Sequence, residues 1–134
     1  MKVLLVDDEP FILQGLSVLI DWAAEGCEIV KMASNGKEAL LYLEDHEADL
    51  VITDIKMPVM SGLELLEQIR GRQISDAFFI ILSGYNDFSY AQKAIRYACM
   101  DYLVKPVQKE ALLELIRKAK SSLAVTEQNA ENER

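Results

Sequence analysis

Leu50-Val51-Ile52-Thr53-Asp54 is a short apolar run that reads as a β-strand and stops on a carboxylate. Three other runs likewise end at a polar or charged side chain. Val3-Leu4-Leu5-Val6 leads into Asp7 and Asp8, Phe78-Phe79-Ile80-Ile81-Leu82 into Ser83, and Tyr102-Leu103-Val104 into Lys105. In an open parallel α/β sheet, ligands bind in the crevice outside the carboxyl ends of the strands. Residues scattered over most of the chain are therefore expected on one edge, which would hold three carboxylates, a hydroxyl and an ammonium. That set points to a metal-dependent phosphoryl site built around an aspartate.

Working outward from these runs, strand and helix patterns alternate five times. Ile12, Leu16, Leu19 and Ile20 recur at i, i+4, i+7 and i+8, one face of an amphipathic helix whose first turn suits Pro10. A second strand, Glu28 to Met32, follows the turn at Glu25-Gly26. Asn35-Gly36-Lys37-Glu38 resembles a cap with a glutamate three residues on, and Ala39, Leu40 and Leu43 form the stripe behind it. Ser61-Gly62-Leu63-Glu64 is a capping box opening a helix with Leu63, Leu66 and Ile69 inward. Asp87 is placed as the cap of the next helix, with Ala91, Ala94, Ile95 and Ala98 on its inner face. Leu112, Ile116, Ala119 and Leu123 give the last helix its stripe.

Continuous apolar strands separated by helices imply a parallel sheet covered on both faces. With right-handed crossovers, the best match is a single flavodoxin-like (βα)5 domain with strand order 2-1-3-4-5 and its switch point between strands 1 and 3. This order sets Asp7 and Asp8 beside Asp54. The domain is expected over residues 1–124. From about Ser121 the chain turns polar, so 125–134 reads as a frayed tail or the start of a linker.

The totals narrow the function classes. At 134 residues, 51% of them hydrophobic, the chain can build one real core. A net charge of −8 opposes direct binding to nucleic acid or an anionic membrane. Cys27 and Cys99 are isolated, with no zinc-type spacing, and read as reduced thiols. The opening apolar run is too short for a signal peptide, and no stretch approaches a membrane span, so the expected location is cytoplasmic.

Three carboxylates in one cleft repel: at about 5 Å and an effective dielectric of about 20, each pair costs roughly 3 kcal/mol. A divalent cation and an approaching lysine would relieve that. Hard oxygen ligands with room for water favour Mg²⁺. Mg²⁺ beside a free aspartate suits in-line transfer of a phosphoryl group onto that carboxylate, and a hydroxyl and an ammonium can bind the oxygens of the acyl phosphate.

Taken together, hydrophobic-Asp7-Asp8-Glu9, Asp54-Ile55-Lys56-Met57-Pro58 with Gly62, Leu82-Ser83-Gly84 and Asp101-Tyr102-Leu103-Val104-Lys105-Pro106 resemble the receiver domain of two-component response regulators. The resemblance runs from Lys2 to about Leu123. It implies that Asp54 accepts a phosphoryl group from a phosphohistidine on a sensor histidine kinase. By the same resemblance Asp8 is a direct Mg²⁺ ligand, Asp7 acts through a metal-bound water, and the backbone carbonyl of Lys56 supplies a further ligand. Ser83 matches the switch hydroxyl, Tyr102 the aromatic that moves with it, and Lys105 the lysine that pairs with the phosphate. The Lys105–Pro106 bond is expected to be cis. Lys56 and Tyr85 flank the cleft in similar proteins and can tune acyl-phosphate lifetime, although Tyr85 reads equally as packing on the helix after it. Such a protein is a self-dephosphorylating switch rather than a turnover enzyme. Phosphorylation would remodel the face formed by the fourth helix, fifth strand and fifth helix, through which similar proteins form a homodimer or bind an output domain. Ile20-Asp21-Trp22 and the segment from Ser83 to Ala91 resemble receivers fused to an AraC-type helix-turn-helix domain, so any contact with DNA would be made by an output domain outside this chain.

Two other functions on similar folds fit less well. A haloacid-dehalogenase-type phosphatase wants Asp-x-Asp after its first strand, whereas Asp7 is followed two on by Glu9 and Asp54 by Lys56. A flavin carrier must cradle a phosphate in its first loop, and Asp7-Asp8-Glu9 would repel one. A pseudo-receiver that only binds partners has no need of the complete acid, serine and lysine set. His46 reads as a solvated loop residue, Trp22 as an anchor at a helix end, and Met57 and Met60 as packing over the cleft.

Overall fold

The computed structural model describes residues 1–84, 88–97 and 99–132, with the side chains of all of these except Phe88, Ala91 and 126–132. In chain order its elements are β1 (Lys2–Val6), α1 (Pro10–Leu19), β2 (Glu28–Ala33), α2 (Gly36–Asp45), β3 (Leu50–Asp54), α3 (Gly62–Gly71), β4 (Phe78–Ser83), α4 (Phe88–Arg96), β5 (Asp101–Val104) and α5 (Lys109–Asn132). The strands form one parallel sheet of order β2-β1-β3-β4-β5. This is the expected (βα)5 arrangement.

Side-chain alternation along the strands splits the core in two. Leu4, Val6, Val51, Phe79 and Ile81 point to one face, where α2, α3 and α4 cover them. Val3, Leu5, Leu50, Ile52, Ile80 and Leu82 point to the other, beneath α1 and α5. Because both faces are covered, β3 is buried at every position, and its apolar run ends only where the cleft begins.

Caps set the helix starts. Asn35 Oδ1 accepts from the Glu38 N–H at 2.9 Å, and Ser61 Oγ from the Glu64 N–H at 3.1 Å. The Glu38 carboxylate returns to the N–H and hydroxyl of Ser34, one residue before the cap, rather than to Asn35. Pro10 stands in the first turn of α1, as its fixed φ favours.

Two helix readings need correction. In α1 the buried line is Leu13 and Leu16, continued by Ile20 just past the helix, while Ile12 and Leu19 are half-buried on its flanks. The apolar stripe is wide enough to be centred either way, and contact with α5 and the sheet selects the centre. In α4, Ala94 is fully buried but Ile95 is 54% exposed. Successive helical residues rotate by about 100°, so a helix pressed down on Ala94 turns Ile95 outward. Asp87, the side chain of Ala91, and Ala98 lie outside the described residues. At the C-terminus, where a frayed tail or the start of a linker is expected, α5 runs as helix through Asn132. Ala, Glu, Gln and Lys are good helix formers, and no Gly or Pro interrupts them.

Cys27 is buried under α1 and α5, Cys99 is half-buried on the opposite face, and both are free thiols whose pKa values burial raises. Trp22 is buried and its Nε1 donates to the Leu16 carbonyl at 3.0 Å, which pins the end of α1. No helix among the described residues is long and apolar enough to cross a membrane.

The loop from β3 to α3 holds Val59 at φ 70°, in the left-handed region, with 75% of its surface exposed. For a β-branched residue that region is a genuine outlier, costing about 1–2 kcal/mol. Little burial would be lost on truncation. Val59→Gly is therefore expected to stabilise the protein by about 0.5–1 kcal/mol, after allowing for glycine's greater freedom when unfolded. A higher urea midpoint at unchanged slope is the expected reading, and a lower midpoint would mean that the valine side chain has a packing role in the loop.

Candidate functional site

The parallel registers bring four strand ends together. Val6 pairs with Thr53, so Asp7 begins the loop beside Asp54, and Asp54 pairs with Leu82, one residue before Ser83. Ser83 in turn pairs with Val104 and accepts the Lys105 N–H on its backbone carbonyl at 2.8 Å. The Lys105–Pro106 peptide bond is cis.

Lys105 Nζ lies 3.1 Å from Asp54 Oδ2 and 3.2 Å from Asp7 Oδ2, so one ammonium bridges both acids. The other oxygens of these carboxylates are held by the backbone: Asp54 Oδ1 accepts from the Ile55 N–H at 2.8 Å, and Asp7 Oδ1 from the Glu9 N–H at 2.9 Å. Asp7 is fully buried and Asp54 is 7% exposed, while Asp8 is exposed. One carboxylate oxygen from each of Asp7, Asp8 and Asp54 lies within 4.8 Å of the others.

Burial raises the pKa of Asp7 above its ordinary value, with Asp54 adding to the rise and the Glu9 N–H and Lys105 working against it. Burial also raises Asp54, opposed chiefly by Lys105. Lys105 is pulled down by its own burial, but Asp54 and Asp7 outweigh this and its pKa is raised. Three carboxylates against one ammonium leave two negative charges if all ionise. A divalent cation would balance them, and the donors are hard oxygens with one acid open to water, which fits Mg²⁺ better than a softer metal.

Ser83 is buried at 3% exposure on the strand adjacent to Asp54. Tyr102 is half-buried and packs with Met57 and Met60 against the core under α2, α3 and α4. The Lys56 side chain is exposed, and its ammonium lies over the Tyr90 ring of α4, 5.1 Å from the centroid. Tyr85 lies outside the described residues. His46 is exposed and stacked on Tyr42, at the opposite end of the strands from the acids. A concavity of about 520 Å³ near His46, Asp49 and Phe78 opens at the other end of the strands and shares no residue with the acid cluster.

Reading the sequence alone assigned nothing to Thr53 or Tyr90. Thr53 is fully buried and its Oγ1 donates to the Asp54 carbonyl at 2.9 Å, which braces the strand end that carries the central acid. A threonine as the last residue before the carboxylate in an otherwise aliphatic strand was the available signal.

A five-stranded parallel α/β domain with three acids and a lysine at its strand ends is the architecture of a receiver. The chain belongs to the response regulator receiver domain family, whose profile matches residues 3–117. It is 39% identical over 112 residues to the uncharacterized transcriptional regulatory protein YesN of Bacillus subtilis, covering 84% of this chain and 30% of that protein. It is 42% identical over 115 residues to the transcriptional regulatory protein HptR of Staphylococcus aureus, covering 86% and 44%. The chain thus spans less than half the length of these relatives. Among solved structures, the receiver domain of AraT, a response regulator from Geobacillus stearothermophilus, superposes with a TM-score of 0.86 at 39% identity, covering 94% of this chain and 97% of that one. The two-component transcriptional regulator AraC from Clostridium phytofermentans superposes at 0.83 with 28% identity, covering 92% and 95%.

Proposed function

We propose that this chain is a phosphorylation-controlled switch in which Asp54 is the phosphoacceptor and a sensor histidine kinase is the donor. One observation carries the reading: Lys105 bridges Asp54 and Asp7 at 3.1 and 3.2 Å in a cluster of acids that a divalent cation would neutralise. Asp54 Oδ2 attacks the phosphorus of the donor phosphohistidine. The new O–P bond forms as the P–N bond breaks, and the imidazole leaves with the electron pair and takes up a proton.

Asp8 and Asp54, with the Lys56 carbonyl and with Asp7 acting through water, would hold Mg²⁺. When bound, this ion offsets the negative charge that gathers on the phosphoryl oxygens. The chain's own groups do the rest. The Ile55 N–H orients Asp54, Lys105 moves from carboxylate to phosphoryl oxygen, and the Ser83 hydroxyl turns onto another. Tyr102 follows Ser83 inward. The chain is then a substrate that hydrolyses its own acyl phosphate rather than a turnover enzyme.

The output surface is the face of α4, β5 and α5, where Ile95, Tyr97 and Val104 are exposed at 54%, 41% and 44%. Apolar side chains grouped on one face support a homodimer or an output domain docking there. The relatives named as transcriptional regulators support transcription as the output, through an AraC-type DNA-binding domain outside this chain. The net charge of −8 opposes direct DNA contact by the receiver.

Intact-mass spectrometry after incubation with acetyl phosphate tests the reading. A single phosphoryl adduct that requires Mg²⁺ and disappears in Asp54→Asn is the expected result. A folded protein with neither adduct nor Mg²⁺ binding would instead be a partner-binding pseudo-receiver.

A further inference from the structure

Thr53 is fully buried, the one hydroxyl in a strand that is otherwise aliphatic up to Asp54. A buried hydroxyl is costly unless it is hydrogen-bonded, and a buried carbonyl needs a donor. Both needs meet at the end of β3. The Ile55 N–H points to β4, where it reaches the Leu82 carbonyl at 3.2 Å, so the Asp54 carbonyl of the same trans peptide points to the β1 side. There β1 ends at Val6, opposite Thr53, and the pairing stops one residue short of Asp54. Thr53 Oγ1 donates to that carbonyl at 2.9 Å, in the place of a strand partner. Gly62 packs directly on both oxygens: a Cβ there would overlap the carbonyl and stand 3.1 Å from Oγ1.

The Asp54 carbonyl and the Ile55 N–H belong to one planar unit and turn together. At the N–H end, Ile55 also donates to Asp54 Oδ1 at 2.8 Å, and that hold leaves Oδ2 facing the Lys105 ammonium at 3.1 Å. We infer that Thr53 is a positioning residue for phosphoryl transfer: by fixing the carbonyl end of this peptide, its hydroxyl aims the N–H that holds Oδ1, and so presents Oδ2 for attack. The inference rests on the proposed role of Asp54 as phosphoacceptor. Thr53 touches neither the donor nor the phosphoryl group and acts only through the peptide. With acetyl phosphate as donor, the bond from Oδ2 to phosphorus forms as the donor's P–O bond breaks, and acetate leaves with the electron pair. A peptide free to swing takes the N–H off Oδ1 and lets the carboxylate rotate out of line, and transfer slows because it depends on that alignment.

Thr53→Val keeps the shape and removes the hydroxyl, Thr53→Ala removes hydroxyl and methyl, and Thr53→Ser keeps the hydroxyl. Val51→Ala, two residues back on the same face of β3, is the control for general loosening of the strand. In the metal-free protein, the Ile55 amide proton is expected at low field in the NMR spectrum because it is bonded to a carboxylate. It should move to higher field in Thr53→Val and Thr53→Ala and stay in place in Thr53→Ser and Val51→Ala. Adduct formation is then timed by intact mass with acetyl phosphate and saturating Mg²⁺. Thr53→Val and Thr53→Ala should each slow it about five- to ten-fold, the effect of one lost hydrogen bond, while Thr53→Ser and Val51→Ala keep the parent's rate. Val51→Ala should nevertheless lower the urea midpoint more than Thr53→Val does, because it opens a cavity.

A Thr53→Val protein with the parent's rate would overturn the inference and leave the hydroxyl a satisfied core group. So would a Thr53→Ser variant as slow as Thr53→Val, since the methyl would then be the cause, or a Val51→Ala control slowed as much, since loosening would be. A slowed rate with the Ile55 proton unmoved would overturn the route through the peptide. If Thr53→Val does not fold, Thr53→Ala against Thr53→Ser decides the same question. Absence of any adduct on the parent would refute the phosphoacceptor reading and with it the effect on transfer, while the Ile55 shift would still decide whether Thr53 fixes the peptide.

Discussion

Gly62→Ala should destabilise the protein by about 3–5 kcal/mol, the scale reserved for substitutions that force backbone to move in a packed region. Gly62 opens α3, where alanine would ordinarily be the better helix former by up to about 1 kcal/mol. Here a Cβ would overlap the carbonyl oxygen of Asp54 and press on Thr53 Oγ1 at 3.1 Å. Neither neighbour can yield cheaply: Thr53 and Asp54 end a fully buried strand, and the Gly62 N–H is itself bonded to the Ile55 carbonyl at 2.9 Å. Gly15, within α1, is the control. A Cβ there meets nothing within 4 Å, so Gly15→Ala should stabilise by about 0.5–1 kcal/mol. Urea unfolding of the two variants should therefore shift in opposite directions. A Gly62 variant within 1 kcal/mol of the parent would mean that the loop after Asp54 yields freely.

Lys105→Met should cost roughly 3 kcal/mol at neutral pH without Mg²⁺, because it leaves Asp7 and Asp54 facing each other in a buried site with no cation. The loss should depend on pH, and its sign follows from the acids. Both have pKa values raised above the ordinary 3.8 by burial, and removing the ammonium raises them further. An acid with a raised folded pKa binds protons more tightly in the native state, so its contribution is most favourable below the unfolded pKa and declines as pH rises through the folded one. The variant should thus approach the parent's stability near pH 4 and fall behind it as pH rises above that. Millimolar Mg²⁺ at neutral pH should recover part of the difference, since a divalent cation supplies the missing positive charge. A stability difference that is constant from pH 4 to pH 8 would show that the lysine stem, rather than its charge, is what matters.

Both predictions concern contacts between separate elements of the fold, and they mark where local sequence stops being sufficient. Gly62 could be placed in a motif, but its intolerance of a methyl group comes from the Asp54 carbonyl lying against it. Lys105 could be placed at a strand end, but its bridging of two acids depends on the order β1-β3-β4-β5 and on the registers that align them. The α1 stripe illustrates a milder limit. A sequence pattern several residues wide admits more than one centre, and Leu13 was displaced from it until packing chose.

Local chemistry was sufficient for the elements themselves. Apolar runs bounded by acids, caps at Asn35 and Ser61, Pro10 at a helix start, and alternation of two periodicities are written among near neighbours, and from them the strands, the helices and the (βα)5 order followed. The identities of Asp7, Asp8, Asp54, Ser83 and Lys105 as the residues at one edge followed too, because a parallel sheet sends every strand end the same way. What the tertiary structure alone decided was which groups touch: the two ion pairs of Lys105, the brace from Thr53, the outward turn of Ile95, and the meeting of Lys56 with Tyr90. These depend on distances of a few ångströms between separate elements, set by how the whole core packs, and no local pattern carries that information.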